Sequence, residues 1–173
     1  MKKITLALVA LFATNFAIGQ AKEGQLSKKK WLIEANTGFG DNVGNTSLYF
    51  SSKDGKTSYN VGLEGGYFIK DNLALKLGLG FGETSGSASN DPIAYKIGVK
   101  YYFKKMIPIE LSYNGIGIGD TDANPRSIGL QAGYAIFIGK NISIEPGVRY
   151  NKALYNQYFD DSFQFNIGFA LHL

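Results

Sequence analysis

The stretch LALKLGLGFG, residues 73–82, alternates large apolar residues with small or charged residues at every position. Successive side chains of a β-strand point to opposite faces, so a period of two predicts a strand with one apolar face and one face of alanine, lysine and glycine. The same period recurs from Lys30 to the end of the chain in eight runs, each of about ten residues. The sequence therefore predicts an all-β protein.

The number of runs and their connections predict that the strands close into a barrel. A tilted strand of about ten residues crosses a bilayer, and an even number of strands leaves no unpaired edge in lipid. Short turns are expected at 70–72, 104–106 and 139–141, and longer segments rich in Asp, Ser, Asn and Gly at 41–58, 84–92, 119–127 and 152–161. Short turns at one rim and long loops at the other are typical of outer-membrane proteins. We therefore predict an eight-stranded antiparallel up-and-down transmembrane β-barrel.

A soluble barrel of the lipocalin kind is the alternative, because it has the same number of strands with apolar residues inside. Three features favour an apolar outside: glycines cluster on the polar face, the last run has no polar tail, and aromatic residues of the apolar face collect near the run ends. The group expected at the short-turn rim is Trp31, Tyr67, Tyr101, Phe103, Tyr134 and Phe169. The group expected at the other rim is Phe39, Tyr59, Phe81, Tyr95, Tyr113, Tyr150 and Phe163.

Two runs contain a local irregularity. The apolar residues of the fifth run change phase after Asn114-Gly115, which predicts a β-bulge at that pair. Pro146 lies inside the seventh run, where it would remove one hydrogen-bond donor from the ladder. Both are expected to interrupt otherwise regular strands.

The composition excludes several classes of protein. The 173 residues include 22 glycines and no cysteine, and 14% are aromatic. Without cysteine, the chain has no disulfide, thiolate metal site, cysteine nucleophile or lipid-anchoring cysteine. The formal net charge of +4 includes Lys2 and Lys3 at the start of the chain, so it is a weak argument for nucleic acid. We expect no nucleic-acid partner.

The first residues have the pattern of a secretory signal peptide. Lys2 and Lys3 precede an apolar run from Leu6 to Ala13, and Ala17-Ile18-Gly19 supplies small residues for cleavage. We expect residues 1–19 to be a cleaved signal peptide, residues 20–29 a periplasmic segment, and residues 30–173 the outer-membrane barrel domain.

The inward face of the predicted strands carries four acidic and four basic residues. They are Glu34, Glu64, Lys76, Lys96, Lys100, Glu110, Glu145 and Arg149. An eight-stranded barrel is just wide enough to be filled by its own side chains, and unpaired buried charges are costly. The sequence therefore predicts an internal network of ion pairs, with a narrow selective pore as the alternative.

The two rims are expected to differ in charge. The long loops carry a net negative charge, whereas the short-turn rim carries one aspartate, Asp71, and seven lysines. These lysines are Lys28, Lys29, Lys30, Lys70, Lys104, Lys105 and Lys140. The loop segment 120–124 lacks the glycine and terminal glutamate of a calcium-binding EF-hand loop, so no metal or other cofactor is expected.

No catalytic set is evident in the sequence. His172 is the single histidine, and it lies at the periplasmic end of the last run, facing inward. A hydrolytic site would need a nucleophile and an acid beside it, and no motif indicates them. We expect no enzymatic activity, and an outer-membrane lipid-modifying enzyme is a lesser alternative.

The chain from residue 20 to residue 173 resembles the small OmpA/OmpX-type outer-membrane β-barrel proteins of Gram-negative bacteria. Three stretches carry the resemblance: residues 66–75, residues 141–150 and the final strand. The last eight residues, NIGFALHL, resemble the C-terminal signal read by the outer-membrane assembly machinery, with Asn166, Gly168, Leu171 and Leu173 at its characteristic positions. Leu173 departs from the aromatic residue usual at the end of that signal.

This resemblance implies an integral protein of the cell outer membrane, a monomer with periplasmic termini and extracellular loops. Its role would be structural in the envelope, or in surface contacts through the long loops with a ligand that the sequence does not identify. Its partners would be outer-membrane lipids, lipopolysaccharide and the assembly machinery. A narrow porin-like channel for small solutes or ions is the main alternative.

Overall fold

The computed structural model describes residues 24–39, 46–53, 56–84, 93–117, 125–154 and 160–173. These ranges contain ten strands and no helix long and apolar enough to cross a membrane. The strands are β1 (Trp31–Phe39), β2 (Ser47–Lys53), β3 (Lys56–Lys70), β4 (Leu73–Thr84), β5 (Ile93–Phe103), β6 (Ile107–Gly117), β7 (Arg126–Gly133), β8 (Ile136–Ile138), β9 (Ile142–Ala153) and β10 (Ser162–His172). The predicted signal peptide and most of the long-loop residues lie outside the described ranges.

The described strands form a closed antiparallel barrel of eight strands. Following the hydrogen bonds around the ring gives the order β1, β3, β4, β5, β6, β7 with β8, β9 and β10. The last strand returns to the first, with pairs running from Leu32–His172 to Phe39–Phe165. The predicted fold class is confirmed.

Side chains alternate between the inside and the outside of the barrel as the period of two requires. In β4, Lys76 is buried, whereas Leu75, Leu77 and Leu79 on the opposite face have exposed fractions of 49%, 63% and 59%. Exposed leucine, isoleucine, valine and aromatic side chains continue around the other strands of the ring. The barrel therefore has an apolar outside, and the lipocalin-like arrangement is excluded.

The segment predicted as a long loop at 41–58 contains a strand, which corrects that prediction. β2 lies between β1 and β3 at the long-loop end, parallel to β1 at Asn36–Ser47 and antiparallel to β3 from Tyr49–Asn60 to Lys53–Lys56. β1 pairs directly with β3 only nearer the short turns, from Trp31–Tyr67 to Glu34–Glu64. β2 is short and lacks clear alternation, so the sequence pattern did not indicate it.

The bulge predicted at Asn114-Gly115 is absent, which is a second correction. β6 keeps one continuous register with β5 and with β7 through both residues. The ring of Tyr95 lies where a side chain at position 115 would project, so glycine admits the ring there. Because the backbone does not slip, the change of apolar phase places Ile116 on the inward side, opposite the buried Ala94.

Pro146 explains the gap between β7 and β8. The pairs Gly133–Gly147 and Ile136–Ile144 have the same register with β9, so β8 continues β7. Between them, Tyr134 N donates to Pro146 O at 2.9 Å, but Pro146 has no N–H to return the bond. The next N–H, of Ala135, points to the other side and donates to Met106 O at 2.7 Å, in the adjacent short turn.

The short-turn end of the lumen is filled by apolar side chains. The buried cluster there consists of Leu26, Leu32, Phe68, Ala74, Tyr102, Ala135, Phe137 and Ala170. Leu26 comes from the segment before β1, and its carbonyl accepts a hydrogen bond from Asn72 N at 2.7 Å. The Gln25 side chain donates to the carbonyls of Gly139 and Lys140 in another turn. The segment before β1 thus crosses this end of the barrel and closes it.

Candidate functional site

The barrel lumen holds all eight charged residues that the sequence placed on the inward face. Their exposed fractions range from 0% to 5%. Glu34 and Glu64 face each other on neighbouring strands, as do Lys100 and Glu110. The four acids and four bases come from β1, β3, β4, β5, β6 and β9, so the network spans the inside of the barrel.

Lys76 lies at the centre of this network. Its Nζ is 2.9 Å from Glu34 Oε2, 2.6 Å from Glu64 Oε2 and 2.6 Å from Glu110 Oε2. Two cross-strand glutamates would repel each other, and the ammonium between them removes that repulsion. Lys76 therefore joins strands β1, β3, β4 and β6 through one charged group.

Lys96 and Lys100 extend the network in opposite directions along the barrel. Lys96 Nζ contacts Glu64 Oε1 and lies 3.6 Å from Glu110 Oε1. Lys100 Nζ lies 2.7 Å from Glu34 Oε2 and 2.5 Å from Glu145 Oε2. Each lysine is paired with two glutamates, so the network is continuous from β9 to β3.

Arg149 ends the network on the long-loop side, where its partners are mainly neutral. Its Nη2 donates to Ser112 Oγ at 2.6 Å and to Asn114 Oδ1 at 2.9 Å. Its Nε donates to Asn151 Oδ1 at 2.8 Å, and its Nη1 lies 3.7 Å from Glu110 Oε1. The guanidinium thus fixes β6 and β9 relative to each other through charge-assisted hydrogen bonds.

Glycines on the inward face make room for the long charged side chains. A Cβ on Gly78 would lie 3.0 Å from Glu64 Cγ, and one on Gly66 would lie 3.3 Å from Lys76 Cγ. A Cβ on Gly129 would lie 2.5 Å from Arg149 Nη2. The high glycine content therefore follows from the narrow, filled lumen.

The start of β2 fills the lumen from the long-loop side. Thr46 is buried, and its hydroxyl donates to Glu64 Oε1 at 2.6 Å. Its backbone occupies the position that a side chain on Gly62 would need. A cleft beside these residues leaves room for about one water molecule. Its lining is Asn36, Thr37, Thr46, Ser47, Glu64, Lys96, Gln131, Arg149, Gln164 and Asn166.

Three of the glutamates have the spacing that a metal centre would need. Carboxylate oxygens of Glu34, Glu64 and Glu110 lie within 4.8 Å of one another. The Lys76 ammonium contacts all three, so it supplies the positive charge that a cation would bring. Within the described residues, the geometry is that of an ion-pair cluster.

His172 has a serine and a glutamate nearby, which the sequence did not indicate. Its Nε2 lies 2.9 Å from Ser143 Oγ, and that hydroxyl donates to Glu145 Oε1 at 2.8 Å. In a catalytic triad the histidine stands between the nucleophile and the acid, whereas here the serine stands between the other two. The rings of Phe68, Tyr102 and Phe137 pack around the imidazole. This group is therefore part of the closed short-turn end.

The four residues of the predicted assembly signal lie along β10 and just beyond it. Asn166 and Gly168 face the lumen, whereas Leu171 and Leu173 face outwards. Trp31 N donates to Leu173 O at 3.0 Å, and Leu173 N donates to Trp31 O at 2.8 Å. The final residue thus closes the ring against the first strand.

The sequence did not identify the neutral residues that complete the site. Tyr102 donates from its hydroxyl to Glu145 Oε1 at 2.9 Å, and Gln131 accepts from Arg149 Nη1 at 3.4 Å. Both lie at inward-facing positions of their own strands, Tyr102 in phase with Lys100 in β5 and Gln131 in phase with Gly129 in β7. The period of two could therefore have placed both residues on the lumen side, but it does not identify the side chain that each one contacts.

Comparison with solved structures shows where this fold occurs. The chain is similar to the N-terminal β-barrel domain of Pseudomonas aeruginosa OprF, with 15% identity over 84% of this chain and 98% of that one and a TM-score of 0.54. A de novo designed transmembrane β-barrel aligns with 14% identity over 85% and 98% and a TM-score of 0.47. Neisserial surface protein A aligns with 18% identity over 82% and 94% and a TM-score of 0.38.

No protein-family model and no curated protein sequence matches the chain. At identities this low, the similarity to OprF concerns the fold alone. The chain has the fold of an outer-membrane β-barrel, and its interior is a filled polar core above an apolar plug.

Proposed function

We propose that this chain is an integral protein of the Gram-negative outer membrane with a structural or surface-interaction role and no catalytic activity. The observation that carries the proposal is the combination of an apolar outside with a filled, charge-paired inside. Charged side chains facing lipid near the bilayer centre would each cost about 2–4 kcal/mol, and all eight strand charges of this network face the lumen.

The finer parts of the proposal follow the sequence. Residues 1–19 would direct export and be removed, both termini would lie in the periplasm, and the long loops would face the outside of the cell. The barrel would be monomeric and contact lipids and lipopolysaccharide, and its C-terminal strand would be recognised by the assembly machinery. Membership of the OmpA/OmpX-type family is part of the same proposal.

The filled lumen favours a structural barrel over a channel. The ion-pair network spans the middle of the lumen, and the apolar cluster with Leu26 closes the short-turn end. We therefore expect no continuous path for a hydrated ion through the described interior. Any interaction with other molecules would therefore use the loops and rims.

Two measurements on one purified sample test this proposal. The folded barrel should migrate differently on gels before and after heating, because heat unfolds a detergent-stable barrel. The same sample should give no steady single-channel conductance in planar bilayers. A large, stable conductance from the unheated protein would contradict a closed structural barrel, and an unchanged mobility would contradict the barrel itself.

A further inference from the structure

The short-turn rim is strongly basic along its whole circumference. Seven exposed lysines lie there, with Asp71 as the one acidic side chain among the described residues of this rim. They are Lys28, Lys29, Lys30, Lys70, Lys104, Lys105 and Lys140, and we call them the basic ring. They occupy the segment just before β1 and all three short turns, so positive charge recurs around the barrel.

Among the described residues, no acidic side chain neutralises the basic ring. Within the described part of the chain, none of these seven lysines forms an ion pair. Asp71 Oδ1 accepts a hydrogen bond from the backbone N of Lys28 at 2.8 Å, so one oxygen of this carboxylate is bonded to the main chain. The charged lumen differs, because each of its lysines has two or three carboxylates.

Three members of the basic ring hold a backbone conformation that lysine disfavours. Lys29, Lys104 and Lys105 have φ values of 74°, 51° and 59°, in the left-handed region where glycine or asparagine is less strained. Asn72, in another short turn, is the other described non-glycine residue with positive φ. Three of the four non-glycine residues with positive φ among the described residues are thus lysines of this rim.

Aromatic side chains lie on the outer face directly beside the basic ring. Trp31 and Tyr67 pack edge to face with ring centroids 5.0 Å apart, and Lys104 Nζ lies 5.6 Å from the Phe103 ring centroid. Aromatic residues of membrane proteins collect at the depth of the lipid headgroups. Lysines beside them would meet the headgroup phosphates.

We propose that the basic ring binds anionic phospholipid headgroups of the leaflet around the short-turn rim. This inference rests on the proposed function, because it requires the barrel to span a bilayer. The ligand class is a phosphodiester lipid with a net negative charge, such as phosphatidylglycerol, in preference to zwitterionic phosphatidylcholine. Each lysine near an anionic surface favours binding by a factor of about five, and salt screens the attraction.

Trp31 makes the proposal measurable, because it is the single tryptophan and lies at this rim. The protein is folded into phosphatidylcholine vesicles that contain a minor fraction of phosphatidylglycerol. Two samples of the same lipid composition are compared, and bromine atoms on acyl chains quench tryptophan fluorescence in both. In one sample the brominated lipid is phosphatidylglycerol, and in the other the same mole fraction of phosphatidylcholine is brominated. We expect quenching by brominated phosphatidylglycerol to be at least about twofold stronger, and the difference to disappear in high salt.

Two sets of variants identify the responsible charges. K29Q/K30Q/K70Q neutralises lysines next to Trp31 in the chain and at the end of its partner strand β3, and should abolish the preference for the anionic lipid. R126Q/K152Q removes two exposed charges at the opposite rim and should leave the preference unchanged. Gel mobility before and after heating establishes that each variant is folded.

The outcomes separate this inference from the proposed function. Quenching by neither lipid means that Trp31 is not in a bilayer, and it overturns both. Equal quenching by both lipids shows an inserted barrel without lipid selectivity. This result overturns the proposed binding of anionic lipids by the basic ring and leaves the proposed function standing. A preference for phosphatidylglycerol that persists in K29Q/K30Q/K70Q also overturns the proposed lipid binding by the basic ring.

Discussion

Lys76 is the residue on which the charge balance of the lumen depends most. Its ammonium contacts three buried glutamates, and Glu34 and Glu64 are directly opposite each other. Lys76→Met removes the positive charge and leaves those carboxylates without their common partner. We expect a loss of about 3–5 kcal/mol in the free energy of unfolding, the cost of breaking a buried ion pair. Urea unfolding in vesicles, followed by Trp31 fluorescence, measures it.

The control for Lys76→Met is the same substitution at Lys152, whose ion pair is exposed to solvent. Lys152 Nζ lies 3.5 Å from Asp161 Oδ2, with side-chain exposures of 62% and 34%. Lys152→Met should change the free energy of unfolding by less than about 1 kcal/mol. Adding Glu110→Gln to Lys76→Met restores equal numbers of charges and should recover part of the loss. Equal effects of the two single lysine variants would contradict this account.

Asp161, before the first residue of β10, offers a pH-dependent test outside the strands. The Tyr150 hydroxyl donates to its Oδ2 at 2.5 Å and Ala153 N donates to its Oδ1 at 2.9 Å, which together lower the pKa of this carboxyl. Because the folded pKa is below the unfolded pKa, the contribution to stability is present above the unfolded pKa. It is lost as the pH falls through the folded pKa.

Tyr150→Phe should raise the pKa of Asp161 toward its ordinary value, since it removes the larger cause of the shift. Lys152→Gln is the control and should move this pKa less, because the Lys152 charge is a smaller cause. A carboxyl-carbon NMR titration in detergent micelles measures both. The prediction fails if the lysine variant has the larger effect.

At the scale of elements, the position of β2 depends on a glycine in β3. The Thr46 backbone occupies the space that a Cβ on Gly62 would need, and the Thr46 hydroxyl binds Glu64. Gly62→Ala should therefore displace the start of β2 from the lumen while the eight-stranded ring remains. We expect the amides of residues 47–53 to exchange with deuterium at least about tenfold faster, since this loosening is local.

Gly65 provides the matched control in the same strand. It faces outwards, and nothing lies within 4 Å of the position of an added Cβ. Gly65→Ala should leave exchange in residues 47–53 unchanged and slightly stabilise β3, because alanine restricts the unfolded chain more than glycine does. Faster exchange in both variants would show that β2 does not depend on the space at Gly62.

The strands of the ring were predictable because a period of two is a local property of the sequence. Ten-residue runs such as that of β4 identify both the strand and its inward face, and inward parity identified the charges that meet in the lumen. The pairing of β2 was not predictable, because it depends on the distant strands β1 and β3. The contacts of Tyr102 and Thr46 likewise depend on how the barrel closes, which no local pattern contains.

At the scale of the molecule, the location of apolar residues explains the ordinary mean hydropathy of −0.09. An apolar outside and a polar inside average to the value of a soluble protein. Burial by the chain alone would leave exposed side chains such as Leu77 and Leu63 unexplained, with 63% and 58% accessible. A bilayer around the ring accounts for them, since it takes the place of a protein core.

The lumen is closed by two different barriers in series. The ion-pair network around Lys76 blocks the middle, and the apolar cluster blocks the short-turn end, where a narrow apolar passage excludes water and ions. We expect Lys76→Ala/Glu110→Ala, which keeps the charges balanced, to remain non-conducting. Phe68→Ala/Phe137→Ala should also remain non-conducting, because the ion-pair network is intact. Only the fourfold variant, which combines these four substitutions, should give discrete single-channel currents in planar bilayers.

The control for these variants is Val61→Ala/Leu63→Ala, which removes apolar volume from the outer face of β3 and should leave the barrel closed. Heat-dependent gel mobility identifies which variants are folded, so that a leaking or misfolded sample is not counted as a channel. Steady currents from either inward pair alone would show that the remaining barrier does not stop ions. A folded fourfold variant without current would show that a further obstruction, such as the Thr46 segment, closes the long-loop side by itself.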